Sequence, residues 1–182
     1  MPMPTNASGA LAFVNLLGND IPPEQAQELI KVMESKENLK TLCGFKGDEK
    51  ELDLSKKNLK AGCAVLVSHE IQDMGALAKL TWSGEKYYDD GWKDAPPVTL
   101  DMDMKEADFS NKHLGVSGAI ILAAFIKRKF FQDNGALAKL DLSRNNYDDS
   151  KSPDFIRPIA TMLKTNKSLK ELNLSSNGLN SE

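Results

Sequence analysis

One apolar pattern recurs along this chain and constrains its fold more than any other feature. It can be written L-x-x-L-x-L-x-x-N-x-L, and its copies start at residues 11, 39, 49, 77, 104, 137 and 169. Most starts are 27 to 33 residues apart, and only the step from Leu39 to Glu49 is short. We interpret the stretch from Cys43 to Lys50 as an insertion within one long repeat. About six units then make up a single domain over residues 1–182, because one such unit cannot bury its apolar face alone.

The two periodicities within each unit predict a strand followed by a helix. The alternating L-x-L centre indicates a short strand with one buried face. Helical spacing follows it in four places: after Pro22-Pro23-Glu24, along Ala64, Val67, Ile71 and Met74, from about Val116 to Phe131, and after Ser152-Pro153-Asp154. The last of these helices is expected to bury Phe155, Ile159 and Leu163. A strand, helix, strand order predicts parallel pairing with right-handed crossovers.

This pattern resembles the leucine-rich repeat family, specifically its long intracellular class typified by ribonuclease inhibitor. The resemblance covers residues 9–180 and includes an asparagine at Asn19, Asn145 and Asn177. It implies an α/β fold, a right-handed leucine-rich repeat solenoid with a concave parallel β-sheet and convex helices. It also implies that these asparagines cap backbone groups in the turn that leaves each strand. The central copies carry Lys57, Glu85 and Lys112 at that position instead.

The stretch from Tyr88 to Asp103 departs from the pattern. Pro96-Pro97 excludes an ordinary helix there, so we expect one irregular repeat near 88–103 whose helix is missing or replaced by extended chain. Tyr88 and Trp92 have no assigned core position, and two interpretations stay open. They are either exposed anchors for a partner or, as favoured for Trp92, cover for the core left open by the missing helix.

Outward positions on the predicted strands supply the candidate binding residues. On the concave face these are Asp53, Lys79, Thr81, Glu106, Asp108, Lys139, Asp141 and Asn173, and in the irregular loop they are Tyr88 and Trp92. The charges among them predict a surface for a polar or basic partner. They are equally consistent with cross-strand ion pairs worth roughly 0.2–1 kcal/mol each.

Several other classes of function find no support in the sequence. A formal net charge of −3 provides no basic field for nucleic acid. The longest apolar run, Val116 to Ile126, is shorter than the ~18 residues that cross a bilayer. The two histidines, His69 and His113, belong to different repeats, and no spacing indicates a metal, cofactor or nucleophile site. Two cysteines cannot form a disulfide framework, which favours a cytoplasmic or organellar protein with reduced thiols.

The sequence therefore predicts a non-enzymatic protein-protein interaction module without a cofactor. Its unidentified protein partner would bind the concave sheet face, the 88–103 loop, or both. One alternative is a structural subunit that docks end-on in a larger assembly, and another is the substrate-recognition fragment of a larger enzyme. Neither end carries a polar cap, so we expect a homo- or hetero-oligomer formed through open solenoid ends, or a piece of a longer repeat protein.

Overall fold

The computed structural model of the chain describes residues 11–84, 86–88, 90–128, 137–146 and 154–179. The helices in these ranges are α1 (Pro23–Glu34), α2 (Ala61–Glu70), α3 (Gly115–Lys127) and α4 (Ile156–Leu163). The strands are β1 (Glu51–Leu54), β2 (Lys79–Ser83), β3 (Tyr87–Tyr88), β4 (Trp92–Lys93), β5 (Pro97–Asp101), β6 (Glu106–Asp108), β7 (Lys139–Asp141) and β8 (Glu171–Asn173). This part of the chain is a small α/β domain.

The four predicted helices are confirmed in the described residues; the predicted end at Phe131 and the predicted start at Ser152-Pro153 lie outside those residues. Helix α1 begins at Pro23, where a missing N–H costs least and Pro22 holds the preceding backbone extended. Helix α3 is apolar on nearly every side because it packs between α2 and α4. Helix α4 buries Phe155 and Ile159 as expected, but Leu163 is 41% exposed. Among the described residues, no helix combines the length and apolarity that crossing a bilayer requires.

The strands form two separate three-stranded sheets. Sheet 1 has the order β1-β2-β5, and sheet 2 has the order β6-β7-β8. Strands β3 and β4 form a two-stranded antiparallel hairpin of their own. The pairs β1–β2, β6–β7 and β7–β8 are parallel, but β5 runs antiparallel to β2. The first copy of the repeat makes only isolated bridges, Phe13 with Thr41 and Asn15 with Cys43.

The prediction of a right-handed leucine-rich repeat solenoid with a concave parallel β-sheet and convex helices is wrong. The sheets are short, and they are not stacked into one repeating array. The physical reason lies between β2 and β6, where a solenoid needs a crossover helix to return the chain in the parallel direction. Residues 87–101 form strands there instead, so the chain returns antiparallel along β2. The described residues of the 88–103 segment form extended chain without a helix, as expected, but they belong to a mixed sheet and a hairpin and not to a solenoid repeat.

The repeated leucines nevertheless line one shared apolar core between the sheets and the helices. In sheet 1, Leu80 and Leu100 are opposite one another and fully buried, while in sheet 2 Leu140 is opposite the partly buried Leu172. Trp82 of β2 is fully buried and meets Phe109 edge to face, with ring centroids 5.9 Å apart. This contact joins the core beneath sheet 1 to the core beneath sheet 2.

Candidate interaction surfaces

On the solvent-facing side of each sheet, the first register position forms a row in which a lysine lies between two acidic residues. In sheet 1 the register aligns Glu51, Lys79 and Asp101, and in sheet 2 it aligns Glu106, Lys139 and Glu171. The central lysine of each row makes an ion pair. Lys79 Nζ lies 2.8 Å from Glu51 Oε2, and Lys139 Nζ lies 3.3 Å from Glu171 Oε2. Hydrogen bonding to these carboxylates raises the pKa of both lysines. One acid in each row is left without an ion pair among the described residues.

The second row differs between the two sheets. In sheet 1 Thr81 lies between Asp53 and Thr99, and the two threonine hydroxyls are hydrogen-bonded at 2.8 Å. In sheet 2 the corresponding positions are Asp108, Asp141 and Asn173.

Asp108 and Asp141 thus face each other as like charges on neighbouring strands. Asn173 Nδ2 donates to Asp141 Oδ2 at 2.8 Å, whereas no cation is paired with either aspartate in the described part of the chain. Directly opposed like charges destabilise a sheet. This pair is therefore the part of the surface where a cation from outside would be most favourable.

Four of the predicted binding residues also hold the turns that leave their strands. In each, the side-chain Oδ1 accepts the backbone N–H two residues on, at 2.8–3.0 Å. The pairs are Asp53 with Ser55, Asp108 with Ser110, Asp141 with Ser143, and Asn173 with Ser175. Such Asx turns satisfy a backbone donor at the end of a strand. This role was not predicted from the sequence, although the repeated Asp/Asn-x-Ser spacing carries the signal for it.

These hydrogen bonds also determine how the aspartates titrate. Donation from the Ser55 hydroxyl and amide lowers the pKa of Asp53, and Ser110 does the same for Asp108. Partial burial opposes the effect at Asp141, yet donation from Ser143 and Asn173 still lowers its pKa. All three carboxylates are therefore ionised at neutral pH.

The buried asparagines Asn145 and Asn177 cap their own turns, as the resemblance to leucine-rich repeats implied, and they also bond to neighbouring turns. Asn145 Oδ1 accepts the N–H groups of Lys112 and Leu114, and its Nδ2 donates to the carbonyl of Phe109 at 2.7 Å. Asn145 is only 1% exposed. Asn145 follows β7, and its side chain stabilises the turn that follows the neighbouring strand β6.

The structure describes only the backbones of the two candidate binding residues in the loop, Tyr88 and Trp92. The backbones of Tyr88 and Trp92 are paired with each other in the β3–β4 hairpin, while their side chains lie outside the described residues. The adjacent Tyr87 stacks on His113, with ring centroids 3.6 Å apart and an angle of 3° between the planes. This contact places the hairpin against the connection between β6 and α3.

The described residues contain no group of three or more side chains that could hold a metal ion. His69 and His113 lie in different parts of the fold. Cys43 and Cys63 are both buried, and burial together with the nearby Glu70 carboxylate raises the pKa of the Cys43 thiol. A protonated, enclosed thiol is a poor nucleophile.

An open cleft of about 770 Å³ lies beside the first turns of α1 and α2. Its polar lining includes Lys60 and Lys86, but Lys60 pairs with Asp20 at 2.5 Å and Lys86 pairs with Asp94 at 3.0 Å. Because both lysines are already neutralised, the cleft presents no concentrated charge to a ligand. The sheet faces are the stronger candidates for recognition.

Comparison with known proteins gave no match: no protein-family model, no curated protein and no solved structure is significantly similar to this chain. The resemblance to leucine-rich repeats therefore stays a prediction from the repeated pattern.

The predicted binding residues do not share one continuous face. Asp53, Lys79 and Thr81 lie on sheet 1, whereas Glu106, Asp108, Lys139, Asp141 and Asn173 lie on sheet 2. The predicted binding residues therefore do not form one concave face. Within each sheet, however, the residues lie at adjacent register positions on the side opposite the buried leucines.

Proposed function

We propose that this protein is a non-enzymatic protein-interaction module that binds a basic protein through the solvent-facing sides of sheets 1 and 2. The observation that carries the proposal is the pair of opposed carboxylates, Asp108 and Asp141. A guanidinium or ammonium group from a partner would relieve their repulsion and donate hydrogen bonds to both carboxylates. The two aspartates lie opposite one another on the paired strands β6 and β7.

The distribution of charge also supports binding of a basic partner. The acids in the two rows of both sheets are Glu51, Asp53, Asp101, Glu106, Asp108, Asp141 and Glu171, and the bases are Lys79 and Lys139. Seven negative and two positive charges leave −5 on these faces. The whole chain carries −3, so the remainder carries +2. Negative potential is thus concentrated on the sheets, where it would steer a basic partner toward them.

Two further features are consistent with this class of function. The described residues assemble no nucleophile with a base and no metal-ligand group, which favours binding over catalysis. Both cysteines are free and buried, which favours a reducing compartment, either the cytoplasm or an organelle. Tyr88 and Trp92 stay candidate contacts from the sequence, beside the sheet faces.

The test is affinity capture with the tagged full chain and a variant that loses charge but keeps the turns. Asp108→Asn with Asp141→Asn is such a variant, because Asn173 already forms the same Asx turn through its amide oxygen. A matched control is Glu28→Gln with Glu37→Gln, which removes two exposed carboxylates near α1. We expect a set of basic proteins that the wild type and the control retain and that the aspartate variant loses. Retention of the same proteins by all three would contradict the proposal and favour a structural subunit.

A further inference from the structure

The turn after β8 contains a dipeptide that combines a buried amide with a flexible backbone. Asn177 is 1% exposed, whereas Gly178 is exposed and has a φ of 66°. The turn uses both residue types, because the asparagine amide bonds to two successive turns and glycine adopts a positive φ at no steric cost. The chain's other Asn-Gly dipeptide, Asn134-Gly135, lies outside the described residues.

An asparagine followed by glycine is open to attack by its own backbone. The nitrogen of Gly178 bonds to Asn177 Cγ, the Cγ–Nδ2 bond breaks, and Nδ2 leaves as ammonia with the proton that the Gly178 nitrogen gives up. Water then opens the five-membered imide at one of its two carbonyls, and the product is aspartate or isoaspartate. The net change is amide plus water to carboxylic acid plus ammonia. Glycine favours the first step because it has no Cβ and a permissive backbone.

In the folded chain, four hydrogen bonds hold the Asn177 amide. Its Oδ1 accepts the N–H groups of Asn145 and Asn146 at 2.7 and 3.0 Å. Its Nδ2 donates to the carbonyls of Leu142 and Leu174, each at 2.9 Å. Cyclisation removes Nδ2 and ties Cγ to the next backbone nitrogen, so it does not proceed while these bonds hold the amide in place. The folded turn therefore suppresses the reaction.

Strand β8 is well placed to open without unfolding the rest of the chain. It lies at the end of the strand order of sheet 2, paired with β7. Its central residue, Leu172, is only partly buried, whereas Leu140 opposite is 1% exposed. Leu179, just after the turn, is 45% exposed. Segments with few buried apolar contacts open at a lower free energy than the core does.

We propose that Asn177 is a site of spontaneous deamidation, which the folded turn suppresses and local opening of β8 exposes. The product does not restore the turn. An aspartate carboxylate has no N–H for the carbonyls of Leu142 and Leu174, and it brings a charge into an almost fully buried position. Isoaspartate lengthens the backbone by one carbon. Deamidation therefore removes the contact between the two turns permanently and acts as a slow one-way switch for sheet 2.

The first test follows deamidation of the full chain over time, at one pH and temperature, by peptide mass spectrometry with fragment ions that assign the site. In urea we expect Asn177 to react faster than Asn145, because Asn146 and not glycine follows Asn145. In native buffer Asn177 should react at least about tenfold more slowly than in urea, since only the opened fraction cyclises. Equal rates for Asn177 in the two conditions would overturn the proposal.

Two leucine variants test whether the opening is local. Leu172→Ala weakens the packing of β8, so it should accelerate the reaction of Asn177 in native buffer and leave the rate in urea unchanged. Leu52→Ala is the matched control, because Leu52 is also a partly buried strand leucine but belongs to β1 in sheet 1. It should leave the rate at Asn177 unchanged. Equal acceleration by both would mean that global unfolding exposes Asn177, which contradicts local opening. If Leu172→Ala unfolds, as circular dichroism would reveal, Leu172→Val takes its place.

A third variant tests the consequence of the modification. Asn177→Asp installs one product directly, and it should lower the urea midpoint or prevent folding. Asn38→Asp adds the same charge at an exposed position and should keep the wild-type midpoint. A wild-type midpoint for Asn177→Asp would show that the product restores the turn and that no switch exists. These measurements need no captured partner, so their outcome is independent of the proposed function.

Discussion

The side-chain Oδ1 of Asn177 accepts the backbone N–H of Asn145 at 2.7 Å. It also accepts the N–H of Asn146 at 3.0 Å, while its Nδ2 donates to the carbonyls of Leu142 and Leu174 at 2.9 Å. Asn145 makes the equivalent contacts to the turn before its own. Each buried amide therefore stabilises two successive turns, and the turn after β6 depends on residues that come more than thirty positions later.

Removing one of these amides should destabilise the protein strongly. Asn177→Ala leaves two backbone donors and two backbone carbonyls without the partner they now have. We expect the free energy of unfolding to fall by about 2–4 kcal/mol, measured by urea denaturation. Asn19→Ala is the matched control, because Asn19 is exposed and, among the described residues, its side-chain amide bonds only the carbonyl of Leu16, at 2.9 Å. It should cost less than about 1 kcal/mol. Similar losses in both variants would contradict the role assigned to Asn177.

The Asx-turn aspartates should make stability depend on pH in the acid range. Because hydrogen bonding lowers the pKa of Asp53, Asp108 and Asp141 in the folded state, the folded protein binds their protons less readily than the unfolded chain. Their contribution is complete above the unfolded pKa of about 3.9 and is lost as the pH falls through the lower folded values.

Replacing all three by asparagine should remove this dependence and keep the turns. Urea denaturation from about pH 6 to about pH 2.5 should show a steeper loss of stability for the wild type than for the triple variant. Parallel curves for the two proteins would contradict the lowered pKa values. The effect should be modest, because all three side chains are largely open to solvent.

Gly84 should tolerate no side chain, because a Cβ there would lie 2.0 Å from the carbonyl oxygen of His113. That carbonyl belongs to backbone and cannot move away as a flexible side chain would. Gly84→Ala should therefore cost about 3 kcal/mol or more and loosen the hairpin, which also meets His113 through Tyr87. Gly75→Ala meets nothing within 4 Å and should change stability by less than about 1 kcal/mol. Equal effects in thermal denaturation would show that the close approach is absent.

The two thiols should react slowly in the native protein. Cys43 is 2% exposed and Cys63 is fully buried, and the raised pKa of Cys43 keeps its thiol protonated at neutral pH. Labelling with a small disulfide reagent should be at least about 100-fold slower in buffer than in urea. Labelling at similar rates in both conditions would mean that the cysteines are accessible in the folded state.

Much of the local structure could be predicted from the residues alone. Pro22-Pro23 marks the start of α1 because proline favours the first turn of a helix. Alternating apolar residues mark β1, β2, β6, β7 and β8, since period-two alternation buries one side of a strand. The candidate face residues followed from the same alternation. In each sheet they lie on the side opposite the buried leucines, although the set is divided between two sheets.

By itself, then, the chain's residue pattern determined the four helices and the buried side of β1, β2, β6, β7 and β8, whereas it indicated only an irregular, non-helical stretch where β3, β4 and β5 lie. Only the tertiary structure decided that β5 runs antiparallel to β2 and that the strands divide into two sheets. Strand direction depends on hydrogen bonds between segments far apart in the chain. The alternation of apolar and polar residues is the same in a parallel and in an antiparallel strand, so it cannot predict that direction. The joining of turns by Asn145 and Asn177 likewise arises from contacts more than thirty residues apart, which no local spacing records.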